Sequence, residues 1–216
     1  MFEGIFRTVV DAVRQFAGKA AAAGTPPAQS YPTISVEPRI EAMYQAGIRD
    51  KVRPCAIREI VIHGTAGGST MASLINWMLG GEQAANYNRG IGLFHFAIDR
   101  GGSITQVVDP KYWVYHSLSG AHDQETVGIE LLNPDRGNGL PYTEGQYASL
   151  VALCTWLMRE HQNCRQIVSH NHNGVVYSRQ GKACPGYLFD WPRLAASLEK
   201  GGWKTQHTAA EVIYVS

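Results

Sequence analysis

Two histidines and one cysteine have the side chains and the positions expected of metal ligands. His63 follows the apolar run EIVI, His170 follows QIVS, and Cys184 lies in the polar stretch GKACPGYLFDW. The end of a strand is where an α/β sheet presents side chains to a crevice. Two imidazoles and a thiolate suit zinc, and three protein ligands leave a fourth position for water, as in catalytic zinc sites. The three residues therefore predict a catalytic zinc centre with one ion per chain.

The cysteine pattern leaves a disulfide open but does not require one. The four cysteines of the chain are Cys55, Cys154, Cys164 and Cys184. None of them forms a C-x-x-C pair, which excludes a zinc ribbon and a thioredoxin-type motif. Cys154 falls on the apolar face of a predicted helix, so we expect it in the core. Lys182, two residues before Cys184, would lower the pKa of that thiol and favour the thiolate that binds metal.

Composition and charge set limits on the function. The chain has 216 residues, 44% of them hydrophobic and 17% charged, which is typical of one globular domain with extensions. A formal net charge of +1 argues against a nucleic-acid partner, which would require a basic excess.

The domain organisation has four parts. Residues 1–23 have the apolar spacing of an amphipathic helix, interrupted by charges that exclude a transmembrane span and make a poor signal peptide. This helix would pack on its own domain or a second copy, or dock to a partner protein or a membrane surface. Residues 24–39 carry four prolines and predict an extended linker, residues 40–201 form the catalytic domain, and residues 202–216 form a tail whose EVIYVS could add an edge strand.

Strand and helix patterns alternate within residues 40–201. Apolar runs predict strands at REIVIHG, TVGIELL and RQIVSH, and a hairpin at LFHFAID and SITQVV. Helical spacing follows STMASLINWMLGG, and Thr143 with Gln146 predicts a capping box for a helix through Glu160. Pro192 suits the first turn of a closing helix. The pattern predicts an α/β fold, a central mixed β-sheet flanked by helices.

Four motifs occur in an order that resembles the zinc-dependent N-acetylmuramoyl-L-alanine amidases. They are VIHGTAG, FHFAIDRGG, VGIELLN and KACPG followed after two residues by FDW. This family includes amidase-type phage lysozymes and the peptidoglycan recognition proteins, and the resemblance covers residues 58–198. KACP is most similar to the phage-lysozyme branch, where cysteine replaces an aspartate ligand.

The resemblance implies a role for each motif residue. His63, His170 and Cys184 would bind the zinc ion, and Glu130 would be the base. Lys182 would stabilise the developing oxyanion. His116 would lie in the substrate groove.

Three departures from the family pattern qualify these roles. Phe94 stands where many relatives have a tyrosine. It would still contact substrate, but it lacks the phenolic hydrogen-bond donor. His172 stands where relatives have an aspartate and is a rival ligand to His170. The segment between His170 and Lys182 is long, and we expect it to shape the groove rim.

The function implied is a peptidoglycan hydrolase that cuts the amide bond between N-acetylmuramic acid and L-alanine by zinc-activated water. It would act on the cell wall, and it would reach the wall after cell lysis, through a secretion machine or as part of a phage particle. One alternative is a non-catalytic peptidoglycan-binding module. Another is a cell-wall-degrading component of a larger particle, attached through the N-terminal helix.

The remaining aromatic and histidine residues lead to weaker expectations. Trp77, Trp113 and Tyr87 are candidates for the groove walls or for the core. We expect His95 to be a structural histidine, and His122 and His161 to be exposed.

Overall fold

Eight strands form one mixed sheet in the computed structural model, which describes residues 31–37, 51–79, 94–117, 119–178, 183–209 and 211–216. In chain order the strands are β1 (Ile34–Val36), β2 (Glu59–Gly64), β3 (Phe96–Ile98), β4 (Ile104–Gln106), β5 (Thr126–Leu131), β6 (Gln166–Ser169), β7 (Thr205–Thr208) and β8 (Val212–Val215).

Five α-helices occur within the described ranges, between or after these strands. They are α1 (Met71–Leu79), α2 (Gly120–Asp123), α3 (Glu144–Glu160), α4 (His170–Asn173), which continues into a π-helical turn at Gly174–Ser178, and α5 (Trp191–Lys200). Among the helices described, none combines the length and the apolar character that a membrane span needs.

The sheet has a parallel centre, antiparallel pairs on both sides of it, and an edge strand β1 that runs parallel to β4. Its order is β1-β4-β3-β5-β2-β6-β8-β7, and β3, β5, β2 and β6 run parallel to one another. The hairpins β3–β4 and β7–β8 extend the two sides. β2 therefore lies between β5 and β6 with all six of its residues buried, which fixes its end firmly.

The two faces of the sheet have different partners. Alternate residues of β2 and β5, such as Ile62 and Ile129, point into the main core, where α3 and α5 contribute Leu150, Leu157 and Leu194. The opposite face carries a second apolar cluster, in which Leu74 and Ile75 of α1 pack with residues around β3. His63, Glu130 and Gly128 belong to this second face, because they alternate with the core residues.

The sequence signals for helix ends are confirmed. Thr143 and Gln146 form the reciprocal capping box of α3. Pro192 lies in the first turn of α5, which Asp190 caps by accepting a hydrogen bond from the backbone of Arg193. Gly80 and Gly81, the last two residues of the segment STMASLINWMLGG for which the sequence predicts a helix, lie outside the described residues.

Two predicted boundaries differ from the structure. The linker predicted over residues 24–39 contains β1, which pairs with β4 and so belongs to the sheet. The tail predicted over residues 202–216 forms the β7–β8 hairpin, and β8 pairs with β6, so the sheet continues beyond residue 201. The helix predicted over residues 1–23 lies outside the described residues, and the partner or membrane contact predicted for it stays a prediction.

Candidate metal centre and active site

A cavity of about 440 Å³ opens on the second face of the sheet, at the ends of the parallel strands. Its lining includes most of the predicted site residues that the structure describes: His63, Phe94, His116, Glu130, His170 and Cys184. Topology brings these residues together, because parallel strands end at the same edge.

His63, His170 and Cys184 form one compact donor cluster. Their ligand atoms all lie within 4.8 Å of one another, and all three residues are buried. Nδ1 of His63 lies 3.0 Å from Nδ1 of His170. Two ring nitrogens this close must share a proton or face a common cation, and two imidazoles with a thiolate are ligands that zinc prefers. The described residues thus fit a zinc ion.

Each ligand is held by a different kind of structure. His63 is the penultimate residue of the fully buried β2. His170 begins α4, because β6 stops at Ser169, whose side chain caps the helix by accepting from the backbone N–H of His172 at 2.8 Å. The N–H of Asn171 donates to the carbonyl of Cys184 at 3.0 Å. That bond joins the second and third ligands.

Cys184 lies in a loop that contacts the end of β2. The Gly64 N–H donates to Sγ of Cys184 at 3.3 Å, which favours the thiolate. A side chain at position 64 would not fit, since a Cβ there would lie 2.3 Å from the Tyr142 hydroxyl. Tyr142 in turn donates to the carbonyl of Pro185 at 2.7 Å. Burial raises the pKa of the Tyr142 phenol, so it remains a donor at neutral pH.

His116 lies directly behind His63. Its Nδ1 is 3.1 Å from Nε2 of His63, and its Nε2 is 3.0 Å from Oγ1 of Thr126 and 3.7 Å from Asp123. Gly128 makes room for the ring, because a Cβ there would lie 2.9 Å from the Nδ1 of His116. Burial lowers the pKa of His116, against the opposing effect of the Asp123 carboxylate. A neutral His116 can accept at Nδ1 and donate at Nε2, which would orient the His63 ring.

Glu130 is the cross-strand neighbour of His63. The two residues are paired in the β2–β5 register, so their side chains leave the sheet on the same face. Glu130 is partly buried and lines the cavity with the donor cluster. A carboxylate in that position can exchange protons with a substrate held in the cavity.

The other histidines considered in the sequence have different environments. His95 is structural as predicted, because it is fully buried, accepts from the Gly128 N–H at 3.0 Å and contacts the Tyr112 carbonyl at 3.0 Å. His172 is not a member of the donor cluster found among the described residues. His122 was predicted to be exposed, but its side chain is 12% exposed and bonds to the buried Glu59 carboxylate at 2.8 Å. His161 is partly buried.

The aromatic candidates have different positions. Phe94 is 3% exposed, packs in the second apolar cluster and also lines the cavity. Trp77 is 56% exposed and lines the cavity. Trp113 stacks edge-on against Tyr115 at 4.9 Å and is absent from the cavity lining. Tyr87 and Lys182 lie outside the described residues. All four cysteines are free, and Cys154 is buried as predicted.

Sequence reasoning missed the residues that hold the site together. Asn138 bridges the loop after β2, because its side-chain oxygen accepts from the Ala66 N–H at 2.8 Å. Arg53 binds main-chain carbonyls around α2, among them those of Pro110 and Thr126 at 3.0 and 2.9 Å. Desolvation lowers its pKa to about 10. Only the Asn138-Gly139 turn signal marks any of these positions in the sequence.

Comparison with known proteins gives one family and several similar structures. Residues 53–187 match the family described as N-acetylmuramoyl-L-alanine amidase. No match was found among curated protein sequences.

Solved structures share the fold at low identity. The amidase LysC from Clostridium intestinale URNW is 19% identical with a TM-score of 0.55, covering 78% of this chain and 98% of its own. The Ph2119 endolysin from a Thermus scotoductus MAT2119 bacteriophage is 15% identical with a TM-score of 0.56, covering 77% and 99%. An AmpD structure is 23% identical with a TM-score of 0.52, covering 68% and 89%.

Proposed function

The chain belongs to the N-acetylmuramoyl-L-alanine amidase family, whose match spans more than half of it, and we propose that His63, His170 and Cys184 bind its catalytic zinc ion. The protein is a peptidoglycan hydrolase that cleaves the amide bond between N-acetylmuramic acid and the L-alanine of the stem peptide. The observation that carries the metal proposal is the buried cluster of two imidazoles and one thiol within 4.8 Å.

The reaction adds water across one amide bond. The water oxygen joins the lactyl carbonyl carbon, the C–N bond breaks, and the products are a carboxylate on the sugar side and the free amine of L-alanine. A zinc ion at the donor cluster would supply Lewis acidity, which activates water and polarises the carbonyl. The residues of the chain must then position the amide and move the protons.

Glu130 is the proton carrier in this proposal. It lies beside His63 in the sheet register and lines the same cavity, so its carboxylate can accept a proton from water and return it to the departing nitrogen. Lys182 is proposed as the cation that stabilises the oxyanion, because it lies two residues before Cys184 in the chain. Phe94 offers an apolar wall and no phenol, which leaves proton transfer to Glu130.

His116 has a role in the site that differs from simple substrate contact. Its side chain is 3% exposed and bonds to His63 and Thr126, so its main interactions are within the protein. We assign it the positioning of the His63 ring, while its edge lines the cavity and contacts bound substrate.

Digestion of defined muropeptides tests the function. Mass spectrometry of the fragments should show a stem peptide with a free L-alanine amine and a sugar with a free lactyl carboxylate. Chelator should stop the cleavage and added zinc should restore it, and metal analysis should find close to one zinc per chain. Binding of muropeptide without cleavage at full zinc occupancy would instead identify a recognition module.

Glu130→Gln separates proton transfer from metal binding. The amide keeps the size of the side chain but cannot accept the proton, so we expect normal zinc content and a kcat lower by about a hundredfold. Glu125→Gln is the matched control, since Glu125 lies just before β5 and pairs with Arg58 at the surface. Unchanged kcat in Glu130→Gln would remove this residue from the mechanism.

A further inference from the structure

The turn between β7 and β8 contains a backbone conformation that glutamate rarely adopts. Glu211 has φ of +59°, in the left-handed region where a glycine fits without strain. Such a conformation persists where surrounding contacts hold it, and the Glu211 side chain makes such contacts.

Those interactions are with the residues on either side of a proposed zinc ligand. The Ser169 hydroxyl donates to Oε2 of Glu211 at 2.5 Å, and the Asn171 side-chain amide donates to the same oxygen at 3.3 Å. The backbone N–H of Ser169 also donates to the Glu211 carbonyl at 3.2 Å. One glutamate thus binds both neighbours of His170.

The same short segment continues to the third ligand. Ser169 caps α4 through the N–H of His172, and the Asn171 N–H donates to the carbonyl of Cys184 at 3.0 Å. Glu211 therefore holds one side of a segment whose other side contacts the Cys184 loop. His170, between the two held residues, is 5% exposed.

From these contacts we propose that Glu211 is a positioning residue for His170, and that the C-terminal hairpin is part of the support of the metal centre. The hairpin lies beyond residues 53–187, which match the family, so this support is additional to the matched region. The inference depends on the proposed zinc site, because its effect is on the geometry of one ligand.

The test compares zinc affinity with the stability of the metal-free protein. In Glu211→Gly the backbone strain disappears together with the carboxylate. Relief of that strain opposes the loss of the hydrogen bonds to Ser169 and Asn171, so we expect the Tm of the metal-free protein to stay close to that of the wild type. Zinc affinity, measured by competition with a chelator, should fall by about tenfold, the lower end for residues that orient metal ligands. If Glu211 had only a structural role, zinc affinity would not fall without a loss of stability.

Three further variants complete the experiment. Glu211→Asn tolerates the left-handed backbone but is too short to reach Ser169, so it should lose affinity as glycine does. Glu211→Gln keeps an acceptor oxygen and should restore most of the affinity. Glu199→Ala is the control. The Glu199 carboxylate, on α5, accepts a hydrogen bond from Thr205 of β7, away from the donor cluster, so this variant should bind zinc as the wild type does.

The outcomes separate this inference from the proposed function. Wild-type affinity in Glu211→Gly and Glu211→Asn would overturn the role of Glu211 while leaving the zinc site in place. A wild-type protein that binds no zinc would overturn both.

Discussion

His63 and Cys184 are proposed to bind the same ion, but the chain holds them in opposite ways. His63 is the penultimate residue of β2. It is paired with Glu130 of β5, and Ile62 before it is paired on both sides, with β5 and β6, so ladder hydrogen bonds and the apolar core fix the His63 backbone. Cys184 lies in a loop outside regular structure. Its position depends on contacts with the Gly64 N–H, with the N–H of Asn171 and, through the adjacent Pro185 carbonyl, with the Tyr142 hydroxyl. The strand ligand is thus insensitive to any one contact, whereas the loop ligand depends on a few polar groups.

The largest effect should come from removing each ligand in turn. Cys184→Ala and His63→Ala should both lose zinc and turnover, since each leaves two protein ligands. They should differ in the stability of the metal-free protein. Cys184→Ala should cost less, because the Gly64 N–H loses only a weak sulfur acceptor, whereas His63→Ala leaves the buried Nδ1 of His116 without its partner, at a cost of about 1–3 kcal/mol.

Metal analysis and urea unfolding in chelator would check this pair. Cys55→Ala is the matched control, because Cys55 is a partly exposed cysteine outside the donor cluster. Equal losses of stability in Cys184→Ala and His63→Ala would contradict the contrast between loop and strand.

A smaller effect should follow from removing one hydroxyl that holds the loop. Tyr142 and Tyr147 both pack against Phe189, and each hydroxyl makes a hydrogen bond to the main chain. Changing either to Phe should therefore lower the free energy of unfolding by about 1 kcal/mol. Only the Tyr142 hydroxyl bonds to Pro185, next to Cys184.

Zinc competition should separate the two tyrosine variants. We expect Tyr142→Phe to weaken binding several-fold and Tyr147→Phe to leave it unchanged. The same affinity in both variants would mean that the cysteine loop does not depend on this bond.

The difference between strand and loop also explains which features the sequence could predict. His63 could be predicted because an apolar run marks β2 and a strand end presents its side chain to a crevice, and Glu130 because its motif resembles that of the amidase family. The contacts that support Cys184 could not be predicted. Its Sγ bonds to a residue 120 positions away in the chain, and that pairing depends on tertiary packing. Glu211 was hidden for the same reason, since the polar tail gave no sign that its turn would reach Ser169.

The stability of the sheet region should depend on pH through His95, a histidine that is not a proposed metal ligand. Burial, with the nearby Arg53 guanidinium, holds the pKa of His95 well below its usual value. The unfolded chain takes up this proton first as the pH falls below about 6.5, so His95 lowers stability there by up to about 1.4 kcal/mol per pH unit. Above that pH, His95 is neutral in both the folded and the unfolded chain, and it no longer lowers the free energy of unfolding.

Urea unfolding in chelator between pH 7.5 and 5.5 would measure this effect. His95→Gln should have a flatter dependence of the free energy of unfolding on pH than the wild type. His207→Gln, at an exposed position on β7, should keep the wild-type slope. Identical slopes in all three proteins would mean that His95 does not couple protonation to folding.

The smallest effect on the metal should come from the core beneath His63. Ile62 precedes His63 and is fully buried on the opposite face of β2, so Ile62→Val should cost about 1 kcal/mol of stability. Zinc affinity should not change, because the β6 ladder extends to Ile62 and the β5 ladder continues through His63 to Gly64, and neither depends on that methyl group. Chelator competition beside the Tyr142→Phe variant makes the comparison direct, since the two losses of stability are similar. If Ile62→Val weakened zinc binding as much as Tyr142→Phe does, the strand would protect its ligand no better than the loop.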